Sequence, residues 1–229
     1  RRTNPDHSSL APYVGLASFQ EESVGLFFGR DALVAELIER VEHGAFLAVL
    51  GASGSGKSSL VRAGLLPALK GGALAASAAW RYLVLKPGAR PLDALAAELT
   101  KLQAGDLHSA LHLAEQLANN PRALLLAADL LLDRQQGQRL VLVVDQLEEL
   151  WTLASPGGAG QQPAFLQQLA AAQATPDSPV LTIATMRADF LHRVAEQPAL
   201  ARAISANNLI VGPLARDELR DAIERPAEL

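Results

Sequence analysis

Cysteine is absent from the 229-residue sequence. That absence excludes a disulfide framework, a thiolate zinc site and a cysteine nucleophile, and it is compatible with a reducing cytoplasm. Aromatic residues are scarce, at 4%, because Ala and Leu fill the helical stretches. No long run of Lys or Arg occurs and the formal net charge is −4, so the electrostatic footprint for nucleic acid or for an anionic membrane surface is missing. No apolar stretch reaches membrane-spanning length, and the opening Arg1-Arg2-Thr3-Asn4-Pro5 lacks the apolar core of a signal peptide. The chain does not begin with Met, which reads as a domain excised from a longer protein. Its histidines show no metal-ligand spacing: His108 and His112 stand at i and i+4 without a partnering ligand and read as an exposed helix face.

What is present is the composition of a globular protein, 49% hydrophobic and 19% charged, with enough chain for one sizeable α/β core. Residues 1–12 are polar and proline-punctuated and read as a tail or linker, with the domain over 13–229. Over residues 31–42, Leu33, Val34, Leu37, Ile38 and Val41 fall on one helical face and Glu36, Glu39 and Arg40 on the other, which predicts an amphipathic helix closed by Gly44. Apolar runs without alternation at 45–50, 82–85, 140–144 and 180–184 predict strands buried on both faces, and 208–211 a weaker fifth. Helical stretches at 58–69, 91–103, 107–119, 121–136, 162–173 and 188–205 lie between them. Strands alternating with helices imply right-handed crossovers and a parallel sheet. The stretches 71–79 and 155–160 read as surface loops.

The segment Gly51-Ala52-Ser53-Gly54-Ser55-Gly56-Lys57-Ser58 matches the P-loop (Walker A) pattern and stands between a predicted strand and a predicted helix, the context its chemistry requires. Glycines let the loop turn back on itself with positive φ and bring backbone N–H groups close to phosphate. Gly51, Ser53, Gly54, Ser55 and Gly56, with Lys57, Ser58 and Ser59, form the expected phosphate cradle. The helix N-terminus adds partial positive charge, Lys57 reaches the β- and γ-phosphates, and the Ser58 hydroxyl holds Mg²⁺. The run Leu140–Val144 delivers Asp145 to the C-terminal edge of the sheet in the manner of a Walker B strand. Asp145 is therefore the second metal residue, its alternative job being a helix N-cap.

Hydrolysis needs a group that orients or deprotonates water. The residue after Asp145 is Gln146, a poor base, and Glu148 and Glu149 follow. A helix starting near Asp145 would carry one of them about a turn on, with Glu149 favoured, or else both are solvated first-turn acids. Arg187, after the fourth strand, is placed to sense a γ-phosphate, or to pair with Asp189 or Glu149 instead.

With these features go Leu26-Phe27-Phe28-Gly29-Arg30-Asp31, Ser58-Ser59-Leu60-Val61-Arg62-Ala63-Gly64-Leu65-Leu66-Pro67, Val143-Val144-Asp145-Gln146-Leu147-Glu148-Glu149-Leu150 and Thr185-Met186-Arg187-Ala188-Asp189-Phe190-Leu191. Together they resemble the NTPase domain of the STAND class of signal-transduction ATPases, the bacterial group often attached to β-propeller repeats or effector domains, from about Pro12 to the C-terminus. The resemblance implies an additional-strand (AAA-like) P-loop fold. Its sheet has five mainly parallel strands in the order 5-1-4-3-2, with helices on both faces and the fourth strand inserted beside the P-loop strand. It implies ATP or ADP with Mg²⁺, and no guanine-selecting Asn-Lys-x-Asp occurs. Phe28, Gly29 and Arg30 become adenine-side residues, although Arg30 has Asp31 and Glu36 as alternative partners. The family's nucleotide state controls homo-oligomerisation and thereby a fused effector, with sensing repeats as a further module. The family usually continues into a helical or winged-helix lid over the nucleotide, and with the chain ending at Leu229 that lid and the sensing repeats are expected to be missing from it. The function expected is a slow ATPase switch in the cytoplasm, with no nucleic-acid or membrane partner. A non-hydrolysing, nucleotide-dependent scaffold and a small-molecule P-loop kinase are the alternatives.

Overall fold

All five apolar runs are strands: β1 (Phe46–Gly51), β2 (Arg81–Leu85), β3 (Leu140–Val144), β4 (Val180–Arg187) and β5 (Asn208–Ile210). The computed structural model describes residues 15, 17–153, 160–175 and 177–228. The tail expected over 1–12 and most of the loop expected over 155–160 lie outside the described residues. The strands pair in parallel in the order β2-β3-β4-β1-β5, which is the expected order read from the opposite edge. Every residue of β1 and β3 is buried, and all but the last of β4. A strand covered on both faces has no solvent side to demand a polar residue, which is why these runs do not alternate. The edge strands β2 and β5 are short and partly exposed, the usual way an open sheet limits its unpaired rim.

Helices cover both faces. On one lie α1 (Asp31–Glu42) and a continuous helix made of α2 (Lys57–Ser59), a π-helical segment (Leu60–Leu65) and α3 (Leu66–Lys70). Leu37, Val41, Leu60, Leu65 and Leu69 pack there against Leu47, Val49, Val141, Val143 and Ile183. Gly64 permits this close approach, since a Cβ there would sit 2.6 Å from Val34 Cγ2. On the other face lie α4 (Pro91–Leu102), α5 (Leu107–Asn119) and α6 (Ala123–Leu131). After β3 come the short α7 (Glu149–Thr152) and then α8 (Gln161–Ala174). Beyond β4 follow α9 (Leu191–Ala195), α10 (Pro198–Ala206) and, at the end, α11 (Arg216–Ala227).

Three expected helices end or begin elsewhere. The stretch 121–136 stops at Leu131 and resumes as a short 3-10 turn, where Asp133 accepts a hydrogen bond from the Gln135 amide. The stretch 188–205 divides into a 3-10 turn, α9 and α10, because Pro198 has no N–H to donate and serves as the first residue of a new helix. No helix starts at Asp145: Gln146 takes a left-handed φ of 61° and α7 begins only at Glu149. Helix α11 lies outside the expected stretches, although Leu219, Ala222, Ile223 and Pro226 stand in it at helical spacing.

The fully buried Gln168 on α8 joins two helix ends. Its Nε2 donates to the Leu117 and Asn120 carbonyls at the end of α5, each at 2.7 Å, and its Oε1 accepts from the Leu124 amide at the start of α6, at 3.0 Å. These are groups that a helix cannot satisfy from within. Gln168→Leu is expected to destabilise the chain by about 3 kcal/mol, because buried backbone groups lose their partner without gaining water. Denaturant unfolding would register this as a lower midpoint at unchanged slope.

Candidate functional site

The phosphate loop leaves β1 at Gly51 and turns into α2 at Lys57. Gly54 and Gly56 have φ of 75° and 87°, left-handed conformations that a side chain disfavours. At Gly51 the reason for glycine is crowding: a Cβ would meet Ser55 Oγ at 2.7 Å and the Val211 carbonyl at 2.8 Å. Lys57 is only 8% exposed and its Nζ donates to the Gly51 and Ala52 carbonyls at 3.1 and 2.6 Å. Burial pulls its pKa below that of an ordinary lysine, and the charge of Glu148 is the strongest influence raising it again.

Asp145, 1% exposed, follows β3 directly. Because Val144 pairs with Ala184, Asp145 and Thr185, the next residue on each chain, are also adjacent, and Thr185 Oγ1 donates to Asp145 Oδ1 at 2.7 Å. Ser58 Oγ donates to the same oxygen at 2.6 Å. Oδ2 accepts from Arg62, at 3.1 Å from Nε and 3.0 Å from Nη2. The phosphate loop and the β3 carboxylate are therefore in direct contact through Ser58. The Asp145 side chain does not act as a helix cap, since the next helix starts four residues on.

Gln146, left-handed, and Leu147 stand between Asp145 and the two glutamates, which face different ways. Glu148 is 8% exposed and accepts from the Arg187 amide at 3.3 Å, which puts its carboxylate at the end of β4 next to the loop. Glu149 instead accepts from the Gly88 amide at 3.0 Å, beyond β2. Arg187 pairs in register with Gly51, and its guanidinium forks onto Asp189 at 3.1 and 2.6 Å, not onto Glu149. That bond holds the Asp189 carboxyl below the usual range.

The residues Phe28, Gly29 and Arg30 meet the C-terminal helix. Arg30 donates to the Gly212 carbonyl at 2.8 Å and pairs with Glu218 at 3.5 Å, so its partners are neither Asp31 nor Glu36. A Cβ on Gly29, whose φ is 81°, would lie 2.2 Å from the Glu218 carbonyl oxygen, and the Arg225 guanidinium sits 4.3 Å from the Phe28 ring centre. Phe28, Arg30, Gly64, Pro67 and Arg225 border a cavity of about 460 Å³.

Arg62 and Thr185 also contact Asp145, and the sequence alone assigns neither of them a role. Both stand inside quoted motifs, and their proximity to Asp145 comes only from the helix turn after Ser58 and the β3–β4 register. The site fits a polyphosphate with a divalent cation. Ser55 Oγ is buried and has no hydrogen-bond partner among the described residues, glycines shape the cradle, and a hydroxyl stands on a buried carboxylate. Among the described residues no three His, Cys, Asp or Glu side chains form a metal cluster. A magnesium ion would rely on Ser58 and Asp145, with phosphate oxygens and water, its usual donor set.

The sequence matches the family described as Novel STAND NTPase 1 over residues 12–229, and the chain belongs to that family. It is thus a P-loop NTPase of the STAND type. Among solved structures it is similar to the Walker-type ATPase PABY2304 of Pyrococcus abyssi, with 16% identity and a TM-score of 0.56, covering 88% of this chain and 57% of that one. It is likewise similar to the ORC2 protein of Aeropyrum pernix, solved as ADPNP–ADP complexes, with 17% identity and a TM-score of 0.57, covering 88% and 51%. At these identities the likeness shows the fold, and the chain spans little more than half the length of either structure. No curated protein matches the sequence. Among the described residues no helix is long and apolar enough to cross a membrane.

Following the ¹³Cε shift of Lys57 against pH should give a midpoint below that of a free lysine side chain, because burial disfavours the ammonium. Tripolyphosphate should move the midpoint upward, since a polyanion in the loop favours the charged form. A midpoint at or above the free value would refute the assigned environment.

Proposed function

We propose that this chain is the ATP·Mg²⁺-binding switch domain of a signal-transduction NTPase, and that it hydrolyses ATP slowly. The observation that carries the reading is the 2.6 Å hydrogen bond from Ser58 to Asp145, which joins the phosphate loop to a buried carboxylate at the C-terminal edge of a parallel sheet. Loop amides and Lys57 bind the phosphates, and Ser58 and Asp145 hold the metal. When bound, Mg²⁺ neutralises charge on the β- and γ-oxygens and polarises the phosphoryl group. Phe28 and Arg30 border the adenine, in the cavity closed by Arg225. The place of β4 between β1 and β3 supports the additional-strand class.

Glu148 is the better candidate for the base. Its carboxylate stands at the β4 end and acts on Lys57 more strongly than any other charge, whereas Glu149 is turned to Gly88. Slow turnover follows from Gln146, which has no acidic oxygen to offer beside Asp145, and from Glu148 being already engaged by the Arg187 amide. Arg187, on an exposed ion pair, exchanges Asp189 for a γ-phosphate of its own or of a neighbouring copy. Nucleotide state then biases oligomerisation and an attached effector in the bacterial cytoplasm. The same engagement of Glu148 favours, as a second reading, a nucleotide-holding scaffold that does not turn over.

Calorimetry of the chain with ATP and Mg²⁺ should show binding that Lys57→Ala weakens by about 100-fold with the fold intact by circular dichroism. In single-turnover assays Glu148→Gln should slow phosphate release by about 100-fold while keeping affinity, and Glu149→Gln should act far less. Absence of nucleotide binding by the wild type would sink the proposal. Binding without any phosphate release would select the scaffold.

A further inference from the structure

One guanidinium bridges the metal-binding carboxylate to the chain that precedes the first helix. Arg62 donates to Asp145 Oδ2 from Nε and Nη2 at 3.1 and 3.0 Å, and to Gln20 Oε1 from Nη1 at 2.8 Å. Gln20 is itself held, its Nε2 donating to the Ser18 carbonyl and hydroxyl at 2.9 and 2.8 Å. On either side of Gln20, the Phe19 amide donates to Ser59 Oγ at 3.1 Å and Glu21 pairs with Lys70. Residues 18–21 therefore lie along the helix that grows out of the phosphate loop, attached at Ser59, Arg62 and Lys70.

The carboxylate serves two cations. Asp145 is buried, so its charge needs a partner, and Arg62 supplies one. A divalent ion resting on Ser58 and Asp145 meets a carboxylate already neutralised at its far oxygen, and a like charge behind it. Repulsion between the two cations weakens both attachments, and the arginine, 20% exposed where the carboxylate is 1% exposed, is the partner with water to move toward. If Arg62 withdraws from Oδ2, the geometry that also satisfied Gln20 is lost.

We infer that Arg62 sets the metal affinity of the site and couples it to residues 18–21: metal binding at Ser58 and Asp145 loosens this segment, and release of the segment strengthens metal binding. The inference rests on the reading of Ser58 and Asp145 as the metal residues of a bound nucleotide. Reciprocity is required by linkage, because one contact cannot weaken another without being weakened by it. The segment thereby becomes a route by which whatever precedes it in the polypeptide reads the state of the site.

The test is a Mg²⁺ titration of the full chain saturated with a non-hydrolysable ATP analogue, with hydrogen exchange of residues 18–21 measured alongside. Arg62→Gln should lower the half-saturating Mg²⁺ concentration by about ten-fold, the size of one moderately screened charge pair. Gln20→Ala, which frees the arginine without touching the site, should lower it by about three-fold, and Arg62→Lys, which keeps the charge, should stay within about two-fold of wild type. Exchange of the Phe19 amide should quicken when Mg²⁺ joins the analogue in the wild type, and be quick from the start in Arg62→Gln. An unchanged or higher Mg²⁺ requirement in Arg62→Gln that still binds the analogue, or Phe19 exchange indifferent to Mg²⁺, overturns the coupling. Should Arg62→Gln not fold, Gln20→Ala decides alone. Failure of the underlying nucleotide reading is told apart, since the wild type would then take up no analogue at all.

Discussion

A carboxylate almost sealed from water, with both oxygens engaged, organises the C-terminal edge of this sheet. Asp145 draws a hydroxyl from the helix after the phosphate loop, a hydroxyl from β4 and a guanidinium from the π-helical turn onto a volume of a few ångströms. Burying a charge is tolerated only where such donors converge. The same demand fixes the distance between the loop and β3, and so the place where a metal-bearing polyphosphate fits. The strands that carry these groups are apolar throughout and covered on both faces, which makes them a rigid base for the edge from which the donors project.

Elements far apart in the chain close around that edge. The segment before α1 reaches the site through Gln20 and Arg62, while Phe28, Gly29 and Arg30 hold the last helix by a ring contact, a glycine too close to a carbonyl to bear a side chain, and an ion pair. Helix α11 buries only Pro226, and its Leu219 and Ile223 are half exposed, so these contacts, more than a hydrophobic face, determine where it sits. Both ends of the domain are thus attached beside the nucleotide-binding elements.

Much of this was legible in advance where the signal is local. Five apolar runs without alternation became the five strands, and the glycine-rich loop between the first of them and a helix has the left-handed glycines its pattern requires. Helix boundaries were less legible, because Asp133 and Pro198 interrupt stretches whose apolar spacing continues past them. The turn at Gln146 left no trace in the pattern, since a non-glycine residue with positive φ is sustained by its surroundings, here the Thr185 hydroxyl that accepts its amide.

Sequence by itself determined the fold class, the phosphate loop and the acid that faces it, because each depends on neighbours within a few residues and on the periodicity of burial. Tertiary structure alone decided which glutamate looks toward the loop, that Arg187 rests on Asp189, that Arg30 holds Glu218 and that Arg62 joins Gln20 to Asp145. These depend on the register of β4 against its neighbours and on contacts spanning up to 188 residues, distances over which no local pattern carries information about which side chains meet.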